Sequence, residues 1–288
     1  MDAGRSTVEW LFGHHALGIS FRNHGLGIWV FELGLRIMTG NLDNLRVVLV
    51  ATRNPLNIGA AARAMSNFGV RRLRVVNPYE VAFREARSAV GASGLLAKAE
   101  QYEGVAEAVA DCRLVVGTTA VGRRDLQHRL LRLDAGAHAI KRQLKTGPVA
   151  LLFGSERYGL SNEEMSHCHW VMRIPTREEH GSMNLGQAVA VCLYELVRGK
   201  KTAPTKKKAA PGGSEKKSAA SREVERLTQM LLEVLHTSGY VKPRAVAAEE
   251  KLRRLVRRLD LNAADTAVLL GMLRQIAWKV GANQKEDK

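Results

Sequence analysis

Phe153-Gly154-Ser155-Glu156-Arg157-Tyr158-Gly159-Leu160-Ser161 follows directly on the apolar run Val149-Ala150-Leu151-Leu152-Phe153. An unbroken apolar run that ends in a glycine reads as a buried strand. The two glycines framing Glu156 read as a tight turn with its backbone groups turned toward a ligand. The strand pattern recurs in Arg46-Val47-Val48-Leu49-Val50, Leu73-Arg74-Val75-Val76, Leu114-Val115-Val116-Gly117 and Val171-Met172-Arg173-Ile174. Ala-rich stretches at helical spacing, such as Ile58 to Phe68 and Glu103 to Ala110, lie between these runs. Strands alternating with helices predict an α/β domain with a mainly parallel sheet. Asn184 to Val197 closes it as a helix, with Leu185, Val189, Cys192, Leu193 and Leu196 on one face.

Three loops follow strand ends, the edge at which open α/β sheets bind ligands. The first runs from Asn54 to Arg63, with Asn57 placed to cap the next helix and Gly59 allowing close approach. Arg63 projects from the second turn among small neighbours (Ala60, Ala61, Ala62, Ala64), on a face that something approaches closely. The second is the Gly154–Ser161 turn, where Glu156 is a natural partner for a cation, Arg63 among them. The third runs from Ile174-Pro175-Thr176 to Gly181-Ser182-Met183-Asn184-Leu185, where Ser182 or Asn184 caps the closing helix. None of the loops matches the P-loop or dinucleotide fingerprint.

The composition narrows the class of partner. The 288 residues carry a net charge of +16 and an isoelectric point near 10.2. Excess Lys and Arg favours polyanions, with nucleic acid ahead of an anionic membrane surface. No apolar stretch is long enough to span a bilayer. Cys112, Cys168 and Cys192 are widely spaced and odd in number, so they form neither a disulfide framework nor a metal-ligand pair. They read as packed thiols of a cytoplasmic protein. His14, His15 and His24 have no matching ligand cluster and read as solvated, so no metal is expected. The N-terminus makes a poor signal peptide. Met38 stands just before the first clean strand, which marks residues 1–37 as an extension the fold does not need.

Residues 199–221 break every pattern with Pro204, Pro211, Gly212 and Gly213 and with a run of lysines. They read as a flexible basic linker that spaces two units, holds a phosphate backbone loosely, or both. Residues 222–288 read as a small helical unit. Val224, Leu227, Leu231, Val234 and Leu235 form one stripe, and Asn262 caps a helix bearing Val268, Leu269, Met272, Leu273 and Ile276. Between them, Leu252, Leu255, Val256 and Leu259 face one way. Lys251, Arg253, Arg254, Arg257 and Arg258 fan out as a basic strip without a compensating acid, as RNA contact requires.

Taken in order, the three loops resemble the motifs of the SpoU/TrmH family of SPOUT-class RNA 2′-O-ribose methyltransferases. The resemblance runs from about Leu45 to Arg198, with Leu73–Pro78, Ala89–Ser93 and Gly117–Ala120 in support. The helical tail with its Lys251-Leu252-Arg253-Arg254-Leu255 stretch is similar to that of the TrmJ-type tRNA enzymes. The resemblance implies a SPOUT domain over residues 38–198 with a C-terminal trefoil knot, a homodimer, and S-adenosylmethionine as methyl donor. It places the donor at Thr118, Thr119, Ala120, Gly154, Ile174, Gly181, Ser182 and Met183, with Gly181 standing where relatives often have serine. It assigns catalysis to Arg63 and support to Asn57, Glu156 and Asn184. The family's matching arginine is described as a base, but arginine holds its proton tightly. A phosphate and oxyanion clamp suits Arg63 better. The substrate implied is tRNA, at an anticodon-loop ribose; an enzyme acting on rRNA and a non-catalytic RNA-binding protein are the alternatives.

Overall fold

A computed structural model describes residues 42–87, 93–120, 126–177, 179, 181–198, 218–242 and 245–286, together with the strand pair Leu11–Phe12 and His15–Ala16. The rest of the N-terminal extension, most of the basic linker and the Ala89–Ala92 stretch lie outside the described residues. Two compact units divide between Thr39 and Gly40.

In the second unit the strands are β1 (Leu45–Val50), β2 (Arg72–Val76), β3 (Glu100–Tyr102), β4 (Leu114–Thr119), β5 (Leu130–Arg132), β6 (Val149–Phe153) and β7 (Trp170–Arg173). They form one parallel sheet in the order β3-β2-β1-β6-β4-β7-β5. The five strands expected from apolar runs are the sheet's interior. The two that sequence reading missed, β3 and β5, are short edge strands whose residues stay at least partly exposed, so neither carries an apolar run.

Because side chains alternate along a strand, β1 feeds two cores at once. Leu45, Val47 and Leu49 pack with α1 (Pro55–Asn67), α5 (Leu133–Gln143) and α7 (Leu185–Val197). Val48 and Val50 face the opposite layer, with α4 (Val105–Ala108) and α6 (Asn162–Ser166). The predicted inward face of α7, Leu185, Val189, Cys192, Leu193 and Leu196, is buried throughout. α7 approaches α1 so closely that a Cβ on Gly186 would sit 2.5 Å from Ala60 Cβ. This, together with core burial of Ala61, Ala62 and Ala64, explains the small residues around Arg63. They serve packing, and do not clear a face for a ligand.

α8 (Ser221–Thr237), α9 (Val246–Arg258) and α10 (Ala263–Glu286) build a small helical layer around Val224, Leu227, Val256 and Leu270. Asn262 caps α10 as expected, accepting from the Asp265 backbone N–H at 2.9 Å. The layer docks on the sheet unit through Ser221 and Arg222, whose backbone N–H groups donate to Cys112 O and Ala110 O at 2.8 and 3.0 Å.

The basic strip is different from its expectation. Arg253 and Arg257 are only 9% and 2% exposed, while Leu255 and Leu259 lie exposed. The compensating acid is Glu225, distant in sequence on α8. Its carboxylate accepts from Arg253 Nε at 3.1 Å and from Arg257 Nη2 at 3.4 Å, and Arg253 Nη1 also donates to Ser166 Oγ at 3.1 Å. Buried guanidinium groups are tolerable because they are paired and hydrogen-bonded. Arg254 lies 3.5 Å from Glu250, and Lys251 and Arg258 alone of the five stay fully exposed. Val268, Met272 and Ile276 on α10 are exposed as well, while Leu269 and Leu273 pack against the core of the layer, so the stripe read there is divided between the two sides of the helix.

Two histidines are sealed into the same seam. Burial, opposed by Glu225 and reinforced by Arg257 and Arg253, holds the His167 imidazole down at about 4. Burial holds His169 at about 3. Both are therefore neutral in the folded chain, whereas an unfolded histidine titrates near ~6.5. Their contribution is complete above that value and is lost progressively as the pH falls from it toward about 4. The melting temperature is expected to fall between pH 7.5 and pH 5, and to fall less in His167→Gln. A wild-type melting temperature that is level across this window contradicts the assignment.

Candidate active site

The carboxyl ends of the adjacent strands β6, β4 and β7 surround an open pocket of about 560 Å³. Its lining includes Thr118, Thr119 and Ala120 after β4, Gly154 after β6, Ile174 after β7, and Gly181, Ser182 and Met183 before α7. All eight positions expected to hold a donor thus converge on one cavity, of the size that binds small molecules. Thr118 Oγ1 donates to Leu152 O at 2.8 Å and ties the ends of β4 and β6 together. Thr176 Oγ1 donates to Gly181 O at 3.1 Å and closes the third loop.

The second loop folds back on itself. The Gly159 N–H donates to Ser155 O at 2.8 Å, and Gly159 holds a φ of +67°, where a side chain is strained. A Cβ on Gly154 would lie 2.1 Å from the Gly159 carbonyl carbon, so only glycine lets the two strands of the turn meet. The turn then runs into α6, where Ser161 and Glu164 form a reciprocal capping box.

Glu156, at the tip of this turn, links all three loops. Its carboxylate accepts from the backbone N–H groups of Arg53 (3.4 Å) and Asn54 (3.3 Å) and from Asn57 Nδ2 (3.1 Å). Asn57 Oδ1 in turn accepts from Asn184 Nδ2 at 2.8 Å, while Asn184 Oδ1 caps α7 through the Gly186 N–H at 2.9 Å. The Asn184 cap was expected and the Asn57 cap was not found. Asn54 caps α1, accepting from the Leu56 N–H at 2.9 Å with Pro55 in the first helical position. This frees the Asn57 amide to bridge Glu156 and Asn184. The cations expected at Glu156 are replaced by neutral donors. Arg63 stands on the exposed side of α1 and is not among the residues lining the pocket.

Sequence reading missed Leu126, Met165 and Tyr158 in the pocket wall, and the backbone donors of Arg53 and Asn54. Backbone donors carry no residue signature. Met165 and Leu126 arrive from segments on which no motif falls.

Fold and site together define an α/β enzyme-type cavity at the carboxyl edge of a parallel sheet, lined largely by small and loop residues. The chain belongs to the SpoU rRNA methylase family, which it matches over residues 44–194. It is 36% identical over 256 residues to the tRNA (cytidine/uridine-2′-O-)-methyltransferase TrmJ of Yersinia pestis (strain Pestoides F), covering 86% of this chain and 94% of that protein. A protein of the same description from Cronobacter sakazakii is 35% identical over 237 residues, covering 82% and 96%. The crystal structure of TrmJ from Z. mobilis ZM4 matches with a TM-score of 0.67 at 32% identity, covering 80% of this chain and 98% of that one. The expectation of a SpoU-type parallel α/β fold is borne out.

Two substitutions test how the cavity is built. Gly154→Ala forces the turn apart and is expected to weaken binding of S-adenosylmethionine at least tenfold by calorimetric titration. Glu156→Ala removes the acceptor of two backbone N–H groups and the Asn57 amide, all within reach of water, at about 0.5–1.5 kcal/mol. It is expected to weaken the same binding about tenfold. Wild-type affinity in either variant would contradict this account.

Proposed function

We propose that this chain transfers a methyl group from S-adenosylmethionine to the 2′-hydroxyl of a ribose in tRNA. The observation that carries the reading is the single cavity formed by the three loops and pinned by Glu156, in a chain of the SpoU family. The relatives it matches along most of their length are named for tRNA 2′-O-methylation, which supports tRNA over rRNA and over binding without turnover. The acceptor we infer is an anticodon-loop ribose.

When bound, S-adenosylmethionine supplies an electrophilic methyl group on a sulfonium. Thr118, Thr119, Ala120, Gly154, Ile174, Gly181, Ser182 and Met183, which line the pocket, would hold it. The fit rests on the cavity's size, and on a Gly154 turn narrow enough to bring backbone groups to the pocket. The ribose oxygen must lose its proton as its bond to the methyl carbon forms and the carbon–sulfur bond breaks, so the chain must stabilise a developing oxyanion. We assign this to Arg63, as a clamp on the substrate phosphate and the oxyanion, with the proton leaving to phosphate or water. Asn57, Glu156 and Asn184 position the loops.

Arg63 lies outside the pocket lining on an exposed helix side, which supports completion of each site by a second copy. Exposed Leu56 on α1 and Tyr194 on α7 offer apolar surface for such a homodimer. We also infer the C-terminal trefoil knot that the family resemblance implies. We divide the chain into an extension (1–37), the methyltransferase domain (38–198), a basic linker (199–221) and a helical RNA-binding domain (222–288). RNA contact in the last falls to the exposed Lys251 and Arg258, since the Arg254 side chain is largely covered beside Glu250. The three cysteines are buried and free, which suits a cytoplasmic enzyme. Among the described residues no helix is long and apolar enough to cross a membrane.

The test is incubation with labelled methyl donor and separate tRNA and rRNA pools, followed by mapping of ribose methylation. Label in tRNA at a ribose 2′-oxygen is expected, and donor binding without transfer to either pool would overturn the reading. Arg63→Ala is expected to lose at least a hundredfold in turnover with donor binding intact. Lost donor binding with normal turnover at saturation would remove Arg63 from the chemistry.

A further inference from the structure

Two exposed tyrosine rings each have an arginine over them, one in the pocket's second loop and one beside the first loop's Arg53. Tyr158 lines the pocket and is 67% exposed, and the Arg157 guanidinium carbon lies 5.1 Å from its ring centroid. Tyr79 is 49% exposed, with the Arg53 guanidinium carbon 5.5 Å from its ring centroid. The pairs are linked through one carboxylate: Glu156, which precedes Arg157, accepts from the Arg53 backbone N–H, with Tyr158 lining the pocket and Tyr79 lying beyond its lining. In a chain with only 5% aromatic residues, leaving these rings outside the core forgoes burial that the fold could have used.

We propose that Tyr158 with Arg157 is the surface on which the nucleobase of the target nucleotide stacks, and that Tyr79 with Arg53 holds a neighbouring base. This rests on the methyltransferase reading and deepens it. A ribose that presents its 2′-oxygen at the pocket mouth carries its base with it, and the base must lie within one nucleotide's span of the lip. Unpaired RNA bases are held by stacking on aromatic rings and guanidinium planes, the two groups these pairs present. Stacking tolerates different bases because each has a π face. The positive charge of Arg157 and Arg53 suits the phosphates on either side of the splayed nucleotide. Glu156 then does two jobs with one carboxylate: it pins the cavity, and it sets the distance between the two stacking pairs.

The competing role for Tyr158 is a cover for the methyl donor itself, and kinetics separates the two. Tyr158→Ala is expected to raise the KM for tRNA about tenfold, in the range that loss of one base stack produces. The affinity for S-adenosylmethionine, measured by calorimetry, changes by less than the KM does, because Tyr158 lies at the lip of that pocket. Tyr158→Phe keeps the ring and restores the KM, whereas Tyr79→Ala raises it by a smaller factor. Donor affinity that falls in step with the KM, failure of the phenylalanine variant to rescue, or an unchanged KM in Tyr158→Ala would each overturn the proposal. Failure of the underlying reading shows elsewhere, as a wild-type protein that binds the donor and methylates no RNA.

Discussion

The Glu156 carboxylate sits where three otherwise independent loops meet, and the shape of the cavity depends on what it accepts. Two backbone N–H groups and one amide from the first loop converge on it, and the same amide group carries the link onward to Asn184. Asn184 simultaneously starts α7, so the position of that helix against α1 and the position of the third loop are set by one side chain. The parallel sheet supplies the precondition. By seating β4 between β6 and β7 it brings three strand ends to one edge, and the hydrogen bonds fix the loops there.

A second set of interactions backs the cavity from behind. α6 follows the Gly154–Ser161 turn directly; its Met165 lines the pocket and its Ser166 accepts from Arg253 of α9. The pocket wall is therefore fastened to the helical layer through a buried cluster in which Glu225 serves Arg253 and Arg257 and lies 3.7 Å from His167 Nδ1. Burial, reinforced by the neighbouring guanidinium charge, keeps both histidines neutral. The basic stretch in α9 thus divides its labour: Arg253 bonds across to Ser166 of the sheet unit, Arg257 bonds within the helical layer to Glu225 and Ser221, and Lys251 and Arg258 stay exposed.

Much of the fold was legible because burial on both faces of a parallel sheet writes itself as apolar runs, and the interior strands of this sheet are such runs. β3 and β5 were not legible, since an edge strand of three half-exposed residues has no pattern to read. The pocket was legible in its lining residues, because loops with fixed glycines and a capping asparagine are constrained locally. Its joinery was not. Asn57 and Asn54 are both competent caps, and only the position of Pro55 at the start of α1 decides between them. The partners of Glu156 lie about a hundred residues away, as Glu225 lies some thirty from the arginines it neutralises. Charge counted along the local sequence therefore predicted a solvated strip, where the fold buries two of its five cations.

The most direct test is a double-mutant cycle on Asn57→Ala and Asn184→Ala, with S-adenosylmethionine affinity as the readout. If one hydrogen-bonded joint organises the cavity, the double variant loses less affinity than the sum of the single losses, with a coupling above ~0.5 kcal/mol. Strictly additive losses would mean that the loops are positioned independently, and would contradict the central role given to Glu156 and its partners.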